Sequence, residues 1–239
     1  MNDYKWVIGV DEAGRGPLAG PVSVGVVLVS SDFDWNLIPG VNDSKKLSEK
    51  KRESIFARAL ELVAAGELWY SVQMPSAKVI DRGGIAPAIR AAMARGLAEV
   101  MSQNPPRPHR GESFEGGLAS LELSKDGKVG ADGKSARLYL EPGDVHVLLD
   151  GSLYAPPEFV HQETIIKGDA KERVIGLASI MAKVTRDRYM IKIATKPAYI
   201  PYDFTRHKGY GTLAHRTAIA KNGLSPEHRA NYCKNIKFL

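Results

Sequence analysis

Apolar residues along the chain follow two rhythms. Trp6 to Val10 and Val22 to Val29 are short runs rich in β-branched residues, which predicts buried strands. The segment between them, Gly14 to Pro21, is rich in glycine and proline, so the two runs are read as a hairpin. From Ser48, a residue suited to cap a helix N-terminus, Ile55, Phe56, Ala59, Leu62 and Val63 recur at three-to-four spacing up to Gly66. That spacing predicts an amphipathic helix. Leu68 to Met74 predicts a third strand, and a second helix follows with Pro87 in its first turn and Ile85, Ile89, Met93, Leu97 and Val100 on one face. Arg90 and Arg95 make its outer face basic. Strand character resumes at Val145 to Leu149 and Phe159 to Ile166, before a long helix over Val174 to Ile193 with Leu177, Ile180, Met181 and Val184 turned inward. Beyond Pro197 the chain is polar and basic, with Arg206, His207, Lys208, His215, Arg216, His228 and Arg229.

Between Ser102 and Asp144 the periodicity stops. Prolines at 105, 106 and 108 and a scatter of glycines replace it, so the segment is read as an inserted surface excursion. Short runs at 120–123 and 136–140, set apart by Asp126-Gly127 and Asp132-Gly133, predict a small exposed ribbon. No internal repeat or low-complexity tract interrupts the rest.

Composition narrows the class. The 239 residues, 44% hydrophobic and 25% charged, suit a globular fold and exclude a collagenous, coiled-coil or disordered chain. No apolar run nears the roughly 18 to 20 residues that cross a bilayer, and the start lacks a signal-peptide pattern, so a cytoplasmic location is expected. The single cysteine, Cys233, excludes an internal disulfide and a multi-cysteine zinc site. A net charge of +6 fits a polyanionic partner without requiring one.

Carboxylates at strand exits carry the candidate chemistry. In Gly9-Val10-Asp11-Glu12-Ala13-Gly14-Arg15-Gly16-Pro17 an apolar strand ends in two acids and a glycine-flanked arginine. Neighbouring strand residues face opposite ways, so Asp11 and Glu12 can serve one ion only if the chain bends there, and the glycines supply a bend. A solvated acidic pair at a strand exit is the plain alternative. Asp150 repeats the grammar, following Val145 to Leu149 and preceding Gly151. Asp169, 19 residues later in Lys167-Gly168-Asp169, is either a further ligand or an acid placed to suit a helix N-terminus.

The nine residues from Gly9, extended through Leu18-Ala19-Gly20-Pro21-Val22, resemble the signature of ribonuclease HII, the type 2 ribonucleases H. Further blocks are similar in the same order: Asp43 to Ser48, Ile80-Asp81-Arg82 with Ile85, Leu149-Asp150-Gly151, Lys167-Gly168-Asp169, Ala178 to Asp187 and His207 to Thr212. The resemblance covers nearly the whole chain outside the insertion. It implies an α/β, ribonuclease H-like fold, a mixed five-stranded sheet flanked by helices with a helical C-terminal segment. A single catalytic domain over 1–239 is expected, with the insertion at about 102–144 and a basic substrate-binding segment at about 197–239.

The implied activity is hydrolysis of the phosphodiester 5′ of a ribonucleotide in an RNA/DNA hybrid or in duplex DNA. Asp11, Glu12, Asp150 and Asp169 map onto the family's metal-binding acids, with two Mg²⁺ or Mn²⁺ ions as cofactors. Oxygen ligands suit such ions. Gly14, Arg15 and Gly16 map onto the reader of the 2′-hydroxyl, the group that separates RNA from DNA, and Tyr210 onto a tyrosine that packs on the following deoxyribose. An ordinary turn remains the alternative for Tyr210.

Lys45, Lys46 and Lys183 are expected phosphate contacts, with a solvated charge run the alternative for the first two. Asp187 lies four residues from Lys183 and is expected to pair with it. His207, His215 and His228 lack zinc spacing and are expected at the surface or beside phosphate. The arginine-bearing loop, with no extra N-terminal domain before it, favours type HII over type HIII. No membrane association is expected, and a monomer is. Two rivals stay open: a binding module without catalysis, disfavoured because bare carboxylates repel phosphate, and a hydrolase of the same fold with another nucleic acid as substrate.

Overall fold

The computed structural model describes residues 4–103 and 140–236. Five strands form one mixed sheet: β1 (Trp6–Ala13), β2 (Ser23–Ser30), β3 (Leu68–Gln73), β4 (Val145–Asp150) and β5 (Gln162–Ile165), ordered β3-β2-β1-β4-β5. β1 runs antiparallel to β2 as the predicted hairpin, with Val10 opposite Val26, and β2 antiparallel to β3. β4 joins parallel to β1, with Val10 opposite Leu149, and β5 joins parallel to β4. The α/β ribonuclease H-like architecture implied by the resemblance is therefore present.

Helices α1 (Glu49–Ala64), α2 (Ala77–Gly83), α3 (Ile85–Ser102), α4 (Gly168–Lys171), α5 (Arg173–Ala194), α6 (Phe204–His207) and α7 (Leu213–Asn222) cover the sheet and extend it. Period-two alternation sorts the sheet's side chains into two cores. On one face Ile8, Val10, Val24, Val26, Val147 and Leu149 pack on Ile89, Met93, Leu97 and Val100 of α3. On the other, Val27, Val29 and Leu148 meet Ile55, Phe56, Ala59 and Leu62 of α1 and Ile175, Leu177, Ile180 and Met181 of α5. Ser48 caps α1 by accepting from the Lys51 amide at 3.2 Å.

Helix α5 approaches the sheet more closely than side chains would allow. A Cβ added at Gly9 would sit 2.4 Å from the Val174 carbonyl, and one at Gly25 would sit 2.3 Å from the Ala178 carbonyl oxygen. Neither glycine has positive φ; each is required by contact, not by conformation.

Three expectations change. β5 is shorter than the run from Phe159 to Ile166, because the chain turns after Pro156, with the Phe159 amide bonded to the Pro156 carbonyl at 3.0 Å, and Phe159 plugs the core from the turn. The short helix α2 carries too few turns to show a period. The segment after Pro197, read as polar and basic, builds a third apolar cluster in which Tyr202, Phe204, Ile219 and Cys233 pack on Ala19, Met190 and Ile193. The expected ribbon within 120–140, like most of the insertion, lies outside the described residues apart from Leu140.

The glycine contacts yield a test. Gly9→Ala and Gly25→Ala should each cost about 1 to 3 kcal/mol by overpacking and lower Tm by roughly 2 to 12 °C. Gly143→Ala, whose Cβ would meet nothing within 4 Å, should stay within about 0.5 kcal/mol of the parent protein. Thermal melts showing all three alike would mean that α5 can retreat from the sheet without loss.

Candidate active site

β1 and β4 are parallel neighbours, so their C-terminal ends lie side by side, and ligands of open α/β sheets gather at such ends. Asp11 follows Val10 and Asp150 follows Leu149 across that pair. The bend expected at Asp11 and Glu12 falls later: β1 stays paired to β2 through Ala13, and Gly14 turns with φ 87°. Alternation thus puts Asp11 on the α5 face with Gly9, and Glu12 on the opposite face with Ile8 and Val10.

Asp11 is buried, and its Oδ1 accepts from the Glu12 amide at 2.7 Å. Burial pushes its carboxyl well above the usual range; a hydrogen bond from Ser179 offsets part of this, and the charges of Glu12 and Asp150 add to it. Glu12 is also raised, by burial first, with Arg15 opposing and Asp150 reinforcing. Arg15 Nη1 stands 3.3 Å from Glu12 Oε1. Asp150 Oδ1 accepts from the Gly168 amide at 2.7 Å, which fixes β4's end to the start of α4. Asp169, in the first turn of α4, is raised by burial and then by Asp43 and Asp150.

The four predicted acids therefore share one field, with Asp150 acting on the other three. Among the described residues no group of three or more His, Cys, Asp or Glu side chains is placed so that it could hold a metal ion. The donor set still fits hard divalent ions, which take few carboxylates and keep several waters. A cation there would offset both the burial and the neighbouring charge that raise Asp11, Glu12 and Asp169.

Lys45 reaches the same field, lowering both Glu12 and Asp169. Lys46 is 72% exposed and lies 3.7 Å from Asp43. Lys183 gives both Asp187 carboxylate oxygens a bond at 2.6 Å, the pairing expected from their spacing, and its Nζ lies 5.8 Å from the Tyr210 ring centre. Tyr210 is 41% exposed. Gly14, Arg15 and Gly16 follow directly from Asp11 and Glu12.

Three residues at the site escaped the sequence reading. Asp43 bonds the Asp169 carboxyl, while Ser44 and Ser179 share a buried hydrogen bond at 2.8 Å beside Asp11. Each stands inside a block that resembles the family, yet a lone serine or a loop aspartate carries no chemical signal without its partner across the fold.

The histidines require a correction, because all three are buried rather than at the surface. The carbonyl of Tyr210, 2.9 Å from His215 Nδ1, can only accept, so Nδ1 carries the proton and Nε2 is left as an acceptor. His228 Nε2, 3.0 Å away, must then donate, which leaves its Nδ1 to accept from the Ser225 amide at 2.8 Å. His207 bonds the Tyr202 carbonyl at 2.7 Å through Nε2 and accepts from the Gly209 amide at 3.2 Å. Every ring nitrogen in the trio is occupied, and every ring is neutral.

The fold and its cluster of strand-end carboxylates define an endoribonuclease of the ribonuclease H class, and the comparisons agree. The family model for ribonuclease HII matches residues 8–105 and 146–238, and the chain belongs to the ribonuclease HII family. A ribonuclease HII from Caldicellulosiruptor bescii is 38% identical over 234 residues, covering 98% of this chain and 89% of that one. One from Endomicrobium trichonymphae is 37% identical over 226 residues, 95% and 84%. Among solved structures, the ribonuclease H2 of Pyrococcus horikoshii superposes with a TM-score of 0.62 at 21% identity, covering 97% of each chain. A ribonuclease HIII described as "Bst-RNase HIII in complex with Mn2+" gives 0.57 at 15% identity, 97% of this chain and 63% of that one.

The histidine network predicts a pH response. Burial lowers His215 and His228 to about 4 from the usual 6.5, so their contribution is whole above about 6.5 and is lost as pH falls toward 4, when the unfolded chain takes up protons that the folded chain refuses. The slope from each histidine is at most about 1.4 kcal/mol per pH unit. Urea unfolding of the parent protein and His215→Gln/His228→Gln at pH 7 and 5 should show a steeper acid loss in the parent. Equal losses would mean that the rings titrate normally.

Proposed function

We propose that the chain cuts the phosphodiester on the 5′ side of ribonucleotides in RNA/DNA hybrids and of single ribonucleotides in duplex DNA. The products carry 5′-phosphate and 3′-hydroxyl ends, and the role is ribonucleotide removal in genome maintenance. The observation that carries this reading is the group of carboxylates at adjoining strand ends, with the Gly14-Arg15-Gly16 loop continuing from the same strand. Asp11, Glu12, Asp150 and Asp169 would hold two Mg²⁺ or Mn²⁺ ions; their all-oxygen donor set and mutual repulsion support that assignment. Ions of this kind supply an activated water and stabilise the leaving 3′ oxygen.

The protein's own groups orient what those ions meet. Ser179 and the Glu12 amide hold Asp11, and the Gly168 amide holds Asp150. Arg15, half-exposed and beside Glu12, would offer its guanidinium to a phosphate. Gly14 and Gly16 let backbone approach the ribose. In this reading Tyr210 packs on the next deoxyribose and Lys45, Lys46 and Lys183 meet phosphate, although the Lys183 pair with Asp187 and its approach to the Tyr210 ring favour a role in setting that ring. The basic segment after Pro197 supplies, in this reading, the remaining substrate wall. All four carboxylates come from one chain, so the reading takes a cytoplasmic monomer as sufficient, in one catalytic domain.

Asp11→Asn and Asp150→Asn should each lower kcat by at least about 10³-fold, the scale of several kcal/mol of lost charge stabilisation. Duplex binding should persist. Near-normal turnover of a duplex bearing one ribonucleotide, at saturating Mn²⁺ or Mg²⁺, would overturn the assignment.

Selectivity is tested at two other residues. Tyr210→Ala should lose roughly tenfold in kcat/KM on a single embedded ribonucleotide, about 1.4 kcal/mol, and less on a continuous hybrid. Arg15→Ala should weaken both substrates and shallow the salt dependence by about one unit of slope. Equal losses on both substrates for Tyr210→Ala would make it a turn residue only.

A further inference from the structure

Two arginines lie fully buried, and no ion pair joins either to a carboxylate among the described residues, although the Asp187 charge acts on Arg186 from the next position. Arg186, on α5, and Arg229, in the chain after α7, are each 0% exposed. A buried guanidinium needs its donors satisfied, and both find backbone carbonyls. Arg229 Nη2 donates to the Gly14 carbonyl at 2.7 Å and to Pro21 at 3.0 Å, Nη1 to the Arg15 carbonyl at 2.9 Å, and Nε to the Gly20 carbonyl at 3.0 Å. Arg186 Nε donates to Pro21 at 2.8 Å, Nη2 to Ala19 at 3.0 Å and Nη1 to Lys208 at 3.0 Å. Its Cζ also lies 5.6 Å from the Tyr210 ring centre.

These contacts fix the direction of the loop's amides. In a trans peptide the carbonyl of one residue and the N–H of the next point opposite ways, and the described backbone has no cis bond. Turning the Gly14 and Arg15 carbonyls inward onto Arg229 therefore turns the Arg15 and Gly16 N–H groups outward. Neither amide has a protein acceptor among the described residues. They form a pair of free donors two and three residues beyond the strand that carries Asp11 and Glu12. Space for the clamp comes from Gly14, where a Cβ would lie 2.1 Å from Arg186 Nε.

We propose that Arg186 and Arg229 are positioning residues for substrate selectivity: they hold the Gly14 to Pro21 loop so that the Arg15 and Gly16 amides face the ribonucleotide, and Arg186 ties that loop to the Tyr210 loop. This rests on the substrate reading above. Arg229 is itself seated by its neighbours, since its amide donates to the Leu18 carbonyl at 2.8 Å and Asp81 accepts from the Ala230 amide at 2.7 Å and the Asn231 amide at 3.1 Å. The clamp thus joins β1's exit, the end of α5 and the C-terminal segment at one point. A lysine keeps the charge and loses the planar fork, so it cannot span these carbonyls.

The test compares affinities in EDTA, where no strand is cut, for a duplex with one ribonucleotide and for its all-DNA counterpart. The ratio of the two is independent of the folded fraction, so a loss of stability alone does not move it. Arg229→Lys and Arg186→Lys should each reduce the ratio about tenfold at a temperature below their melting transitions. In the unmutated protein, which needs no variant to fold, hydrogen exchange at Arg15 and Gly16 should slow more with the ribonucleotide duplex than with DNA. A ratio kept in both variants, or equal protection of those amides by the two duplexes, would overturn the positioning role. An unmutated protein that bound both duplexes equally would instead sink the substrate reading.

Discussion

Helix α5 touches strand β1 backbone to backbone, and that contact sets the geometry of everything at the sheet's open end. Gly9 and Gly25 have no side chain to hold the helix away. Once α5 lies there, Ser179 reaches Asp11 and Ser44, while Lys183, Arg186 and Met190 follow on the same face at three-to-four spacing. Lys183 and Arg186 reach Tyr210, and Arg186 and Met190 support Gly14 and Gly20. One helix face therefore fixes the acids, the glycine loop and the tyrosine relative to one another. A helix standing an ångström or two further off would separate them.

The architecture was legible where one element carried its own period. The β1 to β2 hairpin, α1, α3 and α5 could be read from β-branched runs and three-to-four spacing because each buries a single face against the sheet. Periodicity failed where local chemistry overrode it: Pro156 and Pro157 shorten β5, and the tail after Pro197 hides its apolar residues among polar ones, since Tyr202, Phe204 and Ile219 come from separate short elements. Asp11, Glu12, Asp150 and Asp169 were visible because strand grammar and the family blocks coincide. Arg186, Arg229 and the histidines were visible only as residues. Counted as charges they predict a basic surface, whereas the fold buries them, because a guanidinium or imidazole is as easily satisfied by carbonyls as by water once the backbone arrives in the right place.

Buried polar groups at this end of the molecule come to opposite settlements. Arg186 and Arg229 give their donors to six residues' carbonyls, His228 and His215 pass hydrogen bonds from the Ser225 amide to the Tyr210 carbonyl, and His207 links the Gly209 amide to the Tyr202 carbonyl, with no ring nitrogen spare. Both arrangements are complete without a ligand, which is what a scaffold requires. The carboxylates are incomplete. Asp11, Glu12 and Asp169 are raised first by burial and then by Asp150, with Glu12 adding at Asp11 and Asp43 at Asp169, while Lys45 and Arg15 offset part of that cost at Glu12 and Lys45 at Asp169.

This contrast locates the chemistry better than any single residue does. A fold that satisfies two buried guanidiniums with backbone alone could have paired them with Asp11 or Asp169 and removed both costs at once. Instead the arginines are spent on holding a loop open, and the acids keep their repulsion. Unrelieved negative charge beside outward-facing amides favours a ligand with two parts, a cation for the carboxylates and an acceptor-rich group for the N–H donors. A metal-bridged phosphate on a ribose has both parts, and a bare anion or a bare cation has one. The burial cost of the carboxylates and the selectivity proposed for the loop thus arise from the same separation of charges, maintained by the rigid scaffold around α5.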